Sequence, residues 1–326
     1  MGPVACSPRG FPSEQQATSA LRCCSKQLSE EALSAALYFD LFGHVLSADE
    51  LWAFLPVEAD WYAFRRALLH SVLVPIGGFW CLPGREELVS LRKERERRAR
   101  QLMVAARWVG RFLAGVPFVR AVFLSGQLSK GVADPGADVD LFLITAERRL
   151  WIVRSLLIAF KKSALLNSRR FLCLNYLVTE AHLRIPERNL FTATELVTLR
   201  PLWGEAYRSR LLQANAWLWR FLPNTPWPIP QGDNAPRRPL GRAPCTRLCD
   251  EIDERLRRFW VHTWARRYPH LSPEERARRF RSTPFASKAH PEDFQDRILS
   301  AYADRLRLWG LERLLYWEDI DADSGS

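Results

Sequence analysis

No uninterrupted apolar run in this 326-residue chain is long enough to cross a bilayer. The longest, Leu150 to Leu166, is broken by Arg154, Lys161 and Lys162, so it reads as an amphipathic helix and no membrane span is expected. The opening residues MGPVACSPRGFPSEQQ lack the apolar centre of a secretory signal. Pro3, and the absence of Ser or Thr at position 6, argue against acylation at Gly2. Cysteine forms no paired framework: the seven residues (6, 23, 24, 81, 173, 245, 249) are odd in number and scattered. Reduced thiols in a cytoplasmic protein are expected. Cys245 and Cys249 have neither the spacing nor the neighbours of a zinc site. Lysine is scarce, found only at 26, 93, 130, 161, 162 and 288, and there is no internal repeat.

What is present is arginine, aromatic rings and apolar surface. The net charge of +11 rests mostly on guanidinium groups, which favour phosphate-bearing partners without choosing among a nucleotide, a nucleic acid and an anionic lipid surface. Hydrophobic residues make up 48% and aromatics 12%, enough to fold most of the chain into two or three modules. The thirteen tryptophans read first as core packing or as rings at helix edges.

Along the chain, residues 1–28 read as a polar flexible tail. Leu33, Ala36, Leu37 and Leu41 then recur at helical spacing until Gly43. A second helix starts at Ser47, where Glu50 completes a capping box, and a third fits Trp61 to Ser71. Val72–Ile76 and Phe79–Leu82 flank Gly77-Gly78 as a hairpin. Three short helices and a two-stranded wing make 29–84 similar to a winged helix-turn-helix module. Its third helix carries only Arg65, Arg66 and His70 as basic groups, so protein docking is as good a reading as DNA contact. Residues 85–117 form a linking helix, charged in its first half and amphipathic in its second. Phe118–Leu124 is a strand, a second strand ends at Ile144, Thr145–Asn167 is helical and Phe171–Val178 is a third strand. Phe191–Trp203 and Glu205–Leu222 are expected helices, closing a unit at 118–222. The stretch 223–245 is a Pro-rich linker, and 246–326 a C-terminal helical region with a helix start at Ser272-Pro273-Glu274-Glu275 and an acidic end.

The chemistry concentrates in LSGQLSKGVADPGADVDLFLI, Leu124 to Ile144. Asp138 and Asp140, two apart on a strand, point to one face. Like charges inside a run as apolar as Val139 and Leu141–Ile144 cost several kcal/mol (about 2–7 even for an uncharged polar group) unless compensated, and a divalent cation compensates both. Magnesium suits this pair, because it takes a few carboxylates and completes its shell with substrate phosphates. The turn at Ser125, Gly126 and Gln127 offers backbone amides and a hydroxyl to phosphate oxygens.

The order of apolar strand, Gly-containing turn, about ten residues and acid-apolar-acid on a second strand resembles the signature of the polymerase beta-like nucleotidyltransferase superfamily. The resemblance covers Phe118 to Leu183. Ser125-Gly126 with Ser129-Lys130-Gly131 is similar to that family's phosphate turn, and Asp138-Val139-Asp140-Leu141 to its metal-binding pair. With the winged-helix-like segment ahead and Arg188–Glu195 (RNLFTATE) behind, the chain also resembles uncharacterised bacterial nucleotidyltransferase-like proteins. The resemblance implies an α+β fold: a small mixed-sheet nucleotidyltransferase core with an N-terminal winged-helix-like module and C-terminal helices. It further implies a nucleoside triphosphate substrate, one or two Mg2+ ions, catalysis and metal binding by Asp138 and Asp140, and nucleotide contacts from Ser125, Gly126, Gln127, Ser129 and Lys130.

Two positions depart from the family pattern. Gln127 stands where Gly or Ser is usual, and would narrow the triphosphate site or replace a hydroxyl contact by an amide. The third strand, FLCLNYLVT, lacks the usual carboxylate: Asn175 holds the position, and Glu180 just past the strand is the nearest acid. His182 is a candidate base or a plain surface histidine, and Glu195 reads as a helix residue in an ordinary pairing role. The alternatives to an enzyme are a catalytically impaired nucleotide-binding or scaffold protein, and a DNA-binding regulator with a structural centre. The acceptor is not legible.

Overall fold

The computed structural model describes residues 14–164, 170–226, 247–288 and 294–315, with side chains from Ser25 onward. Expectations for Cys6, Cys23, Cys24, Cys245, most of the Pro-rich stretch and the acidic end lie outside what is described.

In chain order the elements begin with α1 (Glu14–Asp40), β1 (Leu46–Ser47), α2 (Ala48–Ala53), α3 (Trp61–Leu69), β2 (Val74–Ile76) and β3 (Phe79–Cys81). Next come α4 (Glu87–Ala114), β4 (Val119–Leu124), α5 (Gly126–Ser129), β5 (Asp140–Thr145), α6 (Leu150–Ala164) and β6 (Cys173–Thr179). The chain continues through α7 (Leu190–Val197), β7 (Arg200–Trp203), α8 (Ala206–Ala214), α9 (Arg247–Arg267), α10 (Pro273–Phe280), β8 (Ala286–Lys288) and α11 (Phe294–Leu308). The protein is mixed α+β. Both capping boxes form: Ser47 Oγ accepts from the Glu50 amide while Glu50 accepts from the Ser47 amide, and Ser272 and Glu275 repeat the exchange ahead of Pro273.

Three expectations change. Residues 14–28 are helical and not a tail, because no Pro or Gly interrupts the chain from Ser13 to Phe42 and Leu28 is buried. The segment expected to continue a helix through Trp203 turns at Thr198 and becomes β7, with Pro201 in an edge strand where its missing N–H is tolerated. The C-terminal region is not purely helical, since β8 joins the central sheet beside β6.

A small antiparallel sheet of order β1-β3-β2 packs with α1 to α3. The central sheet has order β7-β4-β5-β6-β8. Its β5–β6 pair is parallel and joined by α6, and the other pairs are antiparallel. Both faces are covered, which explains why β4 and β5 read as continuous apolar runs. Ala121, Phe123, Phe142, Ile144 and Val178 face α1, α7, α8 and α11, whereas Val122, Leu124, Leu141, Leu143 and Leu177 face α4 and α6 with Trp260 of α9. The first of these clusters runs without a break into the core of the N-terminal unit, through Leu37, Phe39, Leu51 and Phe64.

Polar contacts tie the N-terminal unit to the rest. Arg92 of α4 is buried against Glu50, Glu96, His44 and the Val45 carbonyl. Arg95 donates to the Phe42 and Gly43 carbonyls and to Asp134. Asn224 accepts from the Ala59 amide and donates to the Val57 carbonyl. Cys81 and Cys173 are free thiols. No helix among the described residues is long and apolar enough to cross a membrane.

Candidate functional site

The side chains at the start of β5 follow from strand alternation. Asp138, Asp140, Phe142 and Ile144 share a face, and on that face lie α1 and α7. Asp138 stands just ahead of the strand and Asp140 is its first residue, so the pair sits where the apolar face gives way to the end of the central strand. The Ser125 amide donates to the Asp140 carbonyl (2.9 Å), which closes the turn after β4 onto β5.

Gly126 adopts φ +66°, and a methyl group there would overlap the Asp140 Oδ2 atom. Only glycine brings the turn this close to the carboxylate. Ser129 Oγ donates to the Gly126 carbonyl (2.8 Å), and Lys130 Nζ donates to the same oxygen (3.2 Å). Lys130 Nζ also donates to Glu195 Oε1 (2.6 Å), and the Gly126 amide donates to Glu195 Oε2 (3.3 Å). One carboxylate from α7 thus bridges the amide and the ammonium of the turn.

Burial pushes the Asp140 carboxyl up to about 6, and the charges of Glu195 and Asp138 add to the rise, against the Cys173 thiol donor and Lys130. The Cys173 thiol, opposite Asp140 on β6, is pushed up to about 12 by burial and by that carboxylate. Burial, with the neighbouring carboxylates, thus disfavours an uncompensated charge on Asp140. Two carboxylates of this kind suit a hard divalent cation, and Asp138 and Asp140 are the side chains that would hold one. Among the described residues no group of three or more His, Cys, Asp or Glu side chains is gathered as metal ligands.

The residues singled out in the sequence sort differently in space. Ser125, Gly126, Ser129, Lys130 and Asp140 come together, and Asp138 adds its charge beside Asp140. Gln127 does not join them: its amide nitrogen donates to Asp134 Oδ2 (2.8 Å) and its oxygen accepts from the Asp134 amide (3.1 Å), while Arg95 holds Asp134 Oδ1. Gln127 braces the loop and does not enter the turn. Asn175 lies at a register shift of β6 and donates to Ser125 Oγ (3.4 Å), so it reaches the turn as an amide. Glu180 is at the opposite end of β6, where its backbone amide meets the Thr145 carbonyl and its carboxylate is held by Arg120 and Tyr207. It cannot complete the site. His182, also at that end, stacks on Phe285 at 3.7 Å.

Glu195 is the site residue that spacing does not disclose, because its partners lie 65 and 69 residues away. One signal was present. Glu195 is the single charge in the run Leu190–Leu199. Around it, Leu190, Ala193, Leu196 and Val197 are buried, and Asn189 caps α7 by accepting from the Thr192 amide.

No family model, curated protein or solved structure matches the chain.

Proposed function

We propose that this chain is a magnesium-dependent nucleotidyltransferase that moves a nucleoside monophosphate from a nucleoside triphosphate to a hydroxyl or phosphate acceptor. One observation carries the reading: the Gly126 turn, with its backbone amide and Lys130, packs so tightly on Asp140 that phosphate-type donors lie directly beside a metal-type carboxylate. The antiparallel β4–β5 pair, followed by β6 in parallel through α6, supports a nucleotidyltransferase core around that space. The order α1-β1-α2-α3-β2-β3 likewise supports a winged-helix-like module ahead of it.

In this reading the Gly126 amide and Lys130 grip the triphosphate, and Ser125 and Ser129 set the turn. Asp138 and Asp140 would hold the metal beside the bound phosphates. When bound, magnesium supplies neutralisation of the leaving pyrophosphate and lowers the pKa of the attacking hydroxyl. The acceptor oxygen forms a bond to the α-phosphorus, the bond to the pyrophosphate oxygen breaks, and the hydroxyl proton passes to a carboxylate or to water.

A second reading, a nucleotide-binding sensor or scaffold without turnover, is favoured by Asn175, an amide where the family carries an acid. Pyrophosphate release from each nucleoside triphosphate in the presence of an acceptor pool separates the two. Turnover that Asp138→Ala and Asp140→Ala both abolish supports the enzyme. Turnover untouched by either variant refutes the mechanism, and magnesium-dependent binding without turnover supports the sensor.

A further inference from the structure

Glu195 occupies the donors that a phosphate needs. Its two carboxylate oxygens accept from the Gly126 amide and from Lys130 Nζ, the groups assigned above to the triphosphate. Carboxylate and phosphate oxygens compete for the same amide and ammonium donors. The Lys130 contact is short, but the Gly126 contact, at 3.3 Å, is longer than the roughly 2.7–2.9 Å of a strong charge-assisted bond. This grip can be exchanged.

Exchange requires only a side chain to move. The backbone of α7 is fixed by its Asn189 cap and by Leu190, Ala193, Leu196 and Val197 in the core, while Glu195 is only half-buried. Lys130 keeps its bond to the Gly126 carbonyl and so stays at the turn when the carboxylate leaves. The released carboxylate has a destination, because Gly126 also lies against Asp140. There the site lacks an acid, since Asn175 on β6 is bonded to Ser125 and Glu180 is at the far end of that strand.

We propose that Glu195 is an internal occupant of the phosphate turn that an incoming triphosphate displaces toward Asp138 and Asp140, where it serves as the third metal-holding carboxylate. The proposal rests on the nucleotidyltransferase reading of this site. It makes metal affinity depend on polyphosphate: the third carboxylate becomes available only when phosphate oxygens have taken its donors.

Calorimetric titration with inorganic tripolyphosphate, with and without magnesium, tests it on the full chain, Glu195→Gln and Glu195→Asp. Without magnesium, Glu195→Gln frees the turn, and tripolyphosphate is expected to bind about tenfold more tightly than to the parent, the scale of one charge-assisted bond. With tripolyphosphate present, magnesium is expected to bind about tenfold more weakly to Glu195→Gln. Glu195→Asp, which keeps the charge on a shorter arm, is expected to free the turn while retaining part of the magnesium affinity. Unchanged affinities in both titrations would make the Lys130–Glu195 contact a structural ion pair and overturn the proposal alone. If no form of the chain binds tripolyphosphate, the nucleotidyltransferase reading itself falls and takes the proposal with it.

Discussion

At Gly126 two carboxylates from distant parts of the chain converge on a residue without a side chain, Asp140 against its Cα and Glu195 on its amide. Gly126→Ala is expected to cost about 1–3 kcal/mol from the left-handed φ and the contact with Asp140, and to weaken triphosphate binding. Gly131→Ala is its control, since Gly131 has φ +77° but open space around it. The difference between the two in urea unfolding isolates the crowding at Asp140. A second residue controls pH dependence away from the site. Glu31 on α1 is 2% exposed, its Oε2 has no hydrogen-bond partner among the described residues, and burial pushes its carboxyl from 4.5 up to about 7. The folded state favours the protonated form. Its contribution to stability is therefore fully present below pH 4.5 and is lost as the pH rises to about 7. Glu31→Gln is expected to remove that slope and to be more stable than the parent at pH 8 by about 1–3 kcal/mol, read from denaturant midpoints across pH.

Elements whose ends are written locally were legible: two capping boxes, the long α4 and the apolar strands β4 and β5 all follow from residues within a few positions of one another. Elements that owe their state to distant partners were not. Leu196, Leu199 and Leu202 match helical spacing, yet Arg200–Trp203 becomes a strand because β4 offers it an edge. The Lys130–Glu195 contact escaped for the same reason, since its partners are 65 residues apart. The start of α6 shows the rule in another form. Its Trp151 and Ile152 amides donate to Asp253 Oδ1 on α9, about a hundred residues on, and Arg148 and Arg149 pair with Asp250 beside it. Asp253→Ala leaves both amides without that acceptor and is expected to lower stability by about 1–3 kcal/mol. Asp253→Asn, which keeps an acceptor oxygen, is expected to lose less, both read from thermal melts.

Across the whole molecule, one hydrophobic cluster passes from α1, α2 and α3 to the central sheet and on to α11, so the segments that read as separate modules share a core. Arg95 links the turn after α1 to Asp134, which Gln127 holds next to the Gly126 turn. A single cooperative transition is expected, with far-UV and near-UV circular dichroism melts coinciding. Two separated transitions would show that the N-terminal unit is independent of the site. On the proposed reading Asp138 and Asp140 act with the Gly126 turn on a magnesium-bound triphosphate. Its most direct test is calorimetric titration of each nucleoside triphosphate with magnesium into the full chain and into Asp138→Asn/Asp140→Asn, with circular dichroism to establish that both are folded. Magnesium-dependent binding of at least one triphosphate by the parent is expected, with loss of about a hundredfold or more in the double variant, from two charge-assisted contacts. Equal binding by both folded proteins, or binding by neither, would contradict it.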